Sequence, residues 1–170
     1  LALALVMAAS VSVADALGAE PVVRMVPSGN YRIAMPEDGD VRGAYVYFHG
    51  FKGSAELQMQ QASLMATTLA HHLAYVAVDG TKGGWSFPNG AWTGRDEQAF
   101  IAEVLDDLSA RDGFTANKIV IGGFSIGASM AWYTACQQGK KAAAMVTFSG
   151  VFWNPLPRPE DCVAEIPPMI

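Results

Sequence analysis

Five short apolar runs, Tyr31–Ala34, Ala44–Phe48, Tyr75–Val78, Lys118–Ile121 and Ala143–Phe148, alternate with stretches of helical period in a chain of 170 residues. That alternation constrains the fold more than any other feature. Strand–helix–strand units join parallel strands by right-handed crossovers and lay helices on the sheet faces. They also place functional groups on loops at the carboxyl ends of the strands. The runs are rich in Val, Ile, Tyr and Phe, which suit a pleated surface, and two of them close on His49-Gly50 and Asp79-Gly80. Residues 55–73 read as a helix with Leu57, Leu64, Met65 and Leu69 on one face. A second helix is marked by Phe100, Ile101, Val104, Leu105 and Leu108 at 3.6-residue spacing, with Asp96 and Glu97 in its first turn. Asp96 is expected to cap it, with Arg95 pairing with Asp96 or facing solvent. Residues 126–137 read as a third helix, and Met130, Trp132 and Met145 as core. The expected class is α/β, with a mostly parallel sheet flanked by helices.

Composition narrows the function. The charge of −5 offers no basic face for nucleic acid. With 51% hydrophobic and 16% charged residues, the chain has the means to fold. Leu1 to Ala14 is uncharged and leads into Ala14-Asp15-Ala16, with small residues at the −3 and −1 positions of a cleavage site. Residues 1–16 therefore read as a secretory signal peptide without its charged start, and 17–170 as the exported domain. The run is too short to span a bilayer; a buried hydrophobic helix is the alternative. Export would let Cys136 and Cys162 pair, as opposed to remaining two unrelated buried thiols. Their spacing is not that of a metal site.

Gly123-Phe124-Ser125-Ile126-Gly127 matches G-x-S-x-G, directly after one apolar run and at the start of the third helix. That is the strand–turn–helix setting of a nucleophile elbow. A serine on such a turn projects its Oγ above the sheet, while Gly123 and Gly127 leave room where a Cβ would collide with a neighbour. The helix start aims unpaired N–H groups at the site, and the Ile126 N–H can stabilise an oxyanion. His49-Gly50-Phe51 follows an earlier strand and supplies the second expected donor, the Phe51 backbone N–H. Gly50 lets the chain turn close to substrate, and His49 is read as a brace for this loop, not a base. An ordinary strand-end turn is the bland alternative.

With these motifs in place, the chain resembles α/β-hydrolases of the secreted polyhydroxybutyrate depolymerase and feruloyl esterase type. The resemblance is carried by YVYFHGFKGSA (45–55), the Trp85–Gly94 loop followed by Asp96 and Phe100-Ile101, and KIVIGGFSIGASMAWYTAC (118–136), and runs from about residue 30 to the end. It implies ester hydrolysis on Ser125 without metal or organic cofactor, and it supports pairing of Cys136 with Cys162. Ala128 stands where many relatives carry a second glycine.

Such a reaction needs a histidine and an acid after the serine. The three histidines, His49, His71 and His72, all precede Ser125. Glu160, Asp161 and Glu165 lie in a proline-rich segment and read as solvated. Pro167-Pro168-Met169-Ile170 reads as the opening of a further strand, so the catalytic acid and histidine are expected outside these 170 residues. Trp85, Phe87 and Trp92, with Phe152 and Trp153, are candidates to line a site for an apolar or aromatic acyl group; packing the loop onto the domain is the equal alternative for the first three.

The leading expectation is a secreted or periplasmic serine esterase acting on a small or polymeric ester (hydroxyalkanoate, feruloyl or acetyl), with no nucleic-acid partner and no stable membrane span. Oligomeric state is not legible in the sequence. A prolyl-oligopeptidase-like serine peptidase and a non-catalytic binding protein that keeps only the elbow are the alternatives.

Overall fold

The computed structural model describes residues 20–88, 90, 94–150 and 156–170. Six strands form one sheet in the order β1-β2-β4-β3-β5-β6. Strand β3 (Gly43–Phe48) pairs in parallel with β4 (Leu73–Val78) and β5 (Ile119–Phe124), and β5 pairs in parallel with β6 (Ala144–Phe148). The parallel part follows the predicted runs. The antiparallel edge does not: β1 (Val22–Val26) and β2 (Gly29–Ala34) form a hairpin, and β2 runs antiparallel to β4. Strand β1 is not among the predicted runs; it lies at the sheet edge with Val22, Val23 and Met25 exposed.

The sheet separates two apolar clusters. On one face, Val46, Phe48, Val76, Val78, Ile119 and Ile121 pack with the buried stripe of α3 (Glu97–Asp112) and with α4 (Ile126–Gln138). All five apolar residues predicted for α3 are buried, each contributing roughly 1.5–3 kcal/mol. Met130, Trp132 and Met145 belong to this core. Asp96 caps α3, its Oδ1 accepting from the N–H groups of Gln98 and Ala99 at 3.0 Å, and Gly113 closes the helix at φ 70°. The hairpin is stitched to this helix: Arg24 donates to both oxygens of Asp112, and the Tyr31 hydroxyl donates to Asp107 at 2.6 Å.

On the other face, Tyr45, Tyr47 and Tyr75 pack with Ala55, Met59 and Leu69. The single helix expected over 55–73 is two, α1 (Ala55–Met59) and α2 (Ala62–Ala70), broken at Gln60-Gln61. The break resets the helical phase. Leu57 is therefore exposed instead of sharing a face with Leu69, and Gln58 and Met59 turn inward. Residues 168–170 continue the sheet outward from β6: the Met145 N–H donates to Pro168 O at 2.8 Å and the Ile170 N–H to Met145 O at 2.9 Å. This is the strand opening expected there, and it runs parallel to β6. Cys136 and Cys162 form a disulfide with Cα atoms 4.6 Å apart, tying the far end of α4 to the 156–166 segment. Among the described residues, no helix is long and apolar enough to cross a membrane. The expected signal peptide lies outside the described residues, as do Trp92, Phe152 and Trp153.

Candidate active site

The parallel strands end side by side. Register sets Phe48 of β3 beside Val78 of β4 and Gly123 of β5, and Phe124 beside Phe148 of β6. Three features meet at this edge: Ser125, the turn after Phe48 and the loop after Val78.

Ser125 lies between β5 and α4 with φ 55° and ψ −123°, outside the regions a non-glycine residue prefers. Such strain costs of order 1–3 kcal/mol and is retained only where the surroundings enforce it. Here they do. The Ser125 N–H donates to Phe148 O at 2.9 Å, and its carbonyl accepts from Ser129 in the first turn of α4. A Cβ on Gly123 would lie 2.7 Å from Phe48 O and 2.5 Å from the Gly127 carbonyl carbon, and one on Gly127 would collide with the carbonyls of Phe48 and His49. The two glycines allow strand, turn and helix to close against the end of β3. As a result the N–H of Ile126, first residue of a 13-residue helix, opens onto the same edge as Ser125, without an i−4 partner inside the helix.

The turn after β3 packs against the elbow, with the Phe124 ring placed where a Cβ on Gly50 would come within 3.1 Å of it. It is held from the other side by the loop after β4. His49 is fully buried, and both ring nitrogens are engaged: Nε2 accepts from the Gly80 N–H at 2.9 Å, and Nδ1 lies 2.8 Å from Gly50 O. The first bond requires an unprotonated Nε2, so the proton sits on Nδ1 and is donated to Gly50 O. Burial pulls the His49 pKa below its ordinary value. Thus His49 braces the turn and has no lone pair to offer Ser125. The Trp85 indole N–H donates to His49 O at 2.9 Å, its ring 4.9 Å from the imidazole, and the Lys52 N–H donates to Gly83 O at 2.7 Å.

Several sequence expectations are corrected. Trp85 and Phe87 do not face substrate: they are 1% and 7% exposed and belong to the core. The loop folds inward because Trp85 finds both an apolar slot against Phe48 and an acceptor for its N–H. Among the described residues, the exposed aromatics at this edge are Phe51, Phe124 and Phe148, each about half exposed. The alternation of β5 and β6 could have flagged the last two, because Phe124 and Phe148 end on the sheet face opposite the α3–α4 core. Arg95 does not pair with Asp96; it bonds Glu97 and Asp79 O.

The other histidines are remote. His72 lies at the amino end of β4, within 3.5 Å of Asp38 and Asp40 carboxylates, roughly 20 Å of strand from the elbow. His71 is exposed at the end of α2. Glu160, Asp161 and Glu165 are exposed and tethered near Cys136, about 15 Å along α4 from Ser125. Among the described residues, none of these groups reaches the serine.

A sequence profile of the family described as Phospholipase/Carboxylesterase matches residues 95–164, a span that holds α3, the elbow and the disulfide. Among solved structures, the chain is similar to FphF, a fluorophosphonate-binding serine hydrolase of Staphylococcus aureus (TM-score 0.66, 23% identity, covering 82% of this chain and 64% of that one). It is similar also to S-formylglutathione hydrolase FrmB of Staphylococcus aureus (0.63, 23%, 78% and 57%) and to acetyl xylan esterase from Aspergillus awamori (0.63, 18%, 81% and 56%). The chain spans less than two thirds of the length of each of these three. No curated protein sequence matches it. Sheet order, elbow and these likenesses define an α/β-hydrolase fold.

Proposed function

We propose that the protein is a serine esterase in which Ser125 is the nucleophile. The observation that carries this reading is the enforced backbone of Ser125, at positive φ between β5 and α4, beside a braced turn that ends at Phe51. Ser125 Oγ attacks the ester carbonyl carbon, and the N–H groups of Ile126 and Phe51 receive the developing oxyanion. A general base takes the Oγ proton and returns it to the departing alcohol, leaving an acyl-serine that water hydrolyses. With His49 committed to its loop and His71 and His72 remote, this reading needs a base and an acid partner that the described residues do not bring to Ser125. The greater length of the similar structures accords with this. The exposed Phe51 and Phe124 beside Ser125 suit the apolar part of an ester. The disulfide accords with export to the periplasm or the cell exterior.

The full-length polypeptide, treated with a fluorophosphonate probe, is expected to label on Ser125, and Ser125→Ala to lose all labelling while keeping its fold. Labelling of Ser125→Ala at the wild-type rate would remove the serine from this role. A folded full-length wild type that neither labels nor hydrolyses short acyl esters would support the second reading, a binding protein. The absence of a histidine near Ser125 among the described residues is what favours that alternative.

A further inference from the structure

The loop that holds the turn after β3 is itself held by one buried ion pair. Arg95 donates to Glu97 Oε2 from Nε at 3.0 Å and from one terminal nitrogen at 2.6 Å. That terminal nitrogen also donates to Asp79 O at 2.8 Å, and the other lies 3.5 Å from Ser28 O in the β1–β2 turn. The guanidinium stacks 3.5 Å above the Phe100 ring. The Glu97 side chain is 1% exposed; its Oε1 accepts from the Ser86 N–H at 3.2 Å, and Thr81 adds a side-chain hydrogen bond. The pair therefore grips the 79–86 loop at both ends, Asp79 by Arg95 and Ser86 by Glu97. Between those ends lie Gly80, Gly83 and Trp85, the three residues that bond His49 and Lys52. Asp79 Oδ1 also accepts from the N–H of Ala55 at the start of α1.

A buried pair is a poor device for stability alone, because desolvation offsets its attraction and apolar residues of similar volume often serve as well. What apolar residues cannot do is bond a carbonyl and an amide at fixed points of a loop. We propose that Arg95 and Glu97 are positioning residues for the oxyanion turn, acting through the 79–86 loop on His49 and Lys52 and so on the Phe51 N–H. This rests on the reading of Ser125 as nucleophile. Neither residue touches the reacting atoms; each determines how closely the Phe51 donor is held to its place.

The test separates positioning from folding. Glu97→Gln leaves the Arg95 charge buried without its partner, so both melting temperature and fluorophosphonate labelling rate should fall. Arg95→Met/Glu97→Gln removes both charges. Its melting temperature should recover towards wild type, while labelling and kcat stay roughly 10–100-fold down with KM little changed, because the Asp79 carbonyl is no longer held. Arg95→Lys keeps the charge without the planar fork and should fall between the two. Recovery of labelling together with stability in the double variant would overturn the positioning role and leave the serine reading intact. Failure of wild type to label on Ser125 would instead overturn the serine reading, and this inference with it.

Discussion

The two halves of the candidate site are built by opposite means. The elbow is local. Gly123, Ser125 and Gly127 lie within five residues, and the strain at Ser125 is enforced by the strand before it, the helix after it and one bond to β6. The oxyanion turn is assembled from a distance. His49, Gly80, Trp85, Arg95 and Glu97 come from three segments, and the bonds among them join residues up to 36 apart in sequence. The elbow is held by exclusion, since there is no room for a Cβ. The turn is held by polar bonds in a buried setting, where each lost partner leaves a donor or acceptor unsatisfied at about 1–3 kcal/mol. A site of this kind has one rigid wall and one wall whose geometry can be tuned by residues that never meet the substrate.

The contrast can be broken by substitution. The largest effect is expected at the elbow. Gly127→Ala drives a Cβ into the carbonyls of Phe48 and His49, and backbone cannot yield as a side chain can. A loss of about 3 kcal/mol or more is expected in urea melts, on the scale of severe overpacking. A near-neutral result would mean that β3 and α4 can separate and that the wall is not rigid. Smaller and opposite in sign is Ser125→Gly. Relieving a positive φ at a non-glycine residue should stabilise the fold by about 1 kcal/mol while abolishing labelling. A destabilised Ser125→Gly would show that the turn is not strained.

The smallest effect belongs to the turn and is set by pH. Burial holds the His49 pKa below its ordinary 6.5, so the unfolded chain takes up the proton first as pH falls. Stability is therefore full above about pH 6.5 and declines as pH drops from there towards the folded pKa. Protonation also removes the lone pair that accepts from Gly80. Hydrogen exchange should then quicken at the Gly80 and Lys52 amides and the Trp85 indole N–H before it changes in the first turn of α4. Simultaneous loss of protection in both regions would mean that the two walls are not separable.

How much of this was legible follows the same division. The parallel strands, the stripe of α3, the Asp96 cap and the elbow each write their signal within about a dozen residues, and each could be read from spacing and turn chemistry. The hairpin edge strand could not, because Val22, Val23 and Met25 are apolar residues left exposed. The break at Gln60-Gln61 could not either, because neither residue forbids a helix. Trp85 and Phe87 left a substrate surface and loop packing equally open, because a loop's aromatics carry the same letters whether they face outward or inward.

By itself, the sequence determined the strand–helix alternation and the serine on its elbow, because local sterics and periodicity act between near neighbours. Only the tertiary structure decided that Arg95 reaches Glu97 and Asp79, that Trp85 turns in to His49, and that His49 spends both its nitrogens on the backbone. Those outcomes depend on which buried donor meets which acceptor once the sheet has closed, and that pairing is a property of the packed interior, not of any stretch of chain.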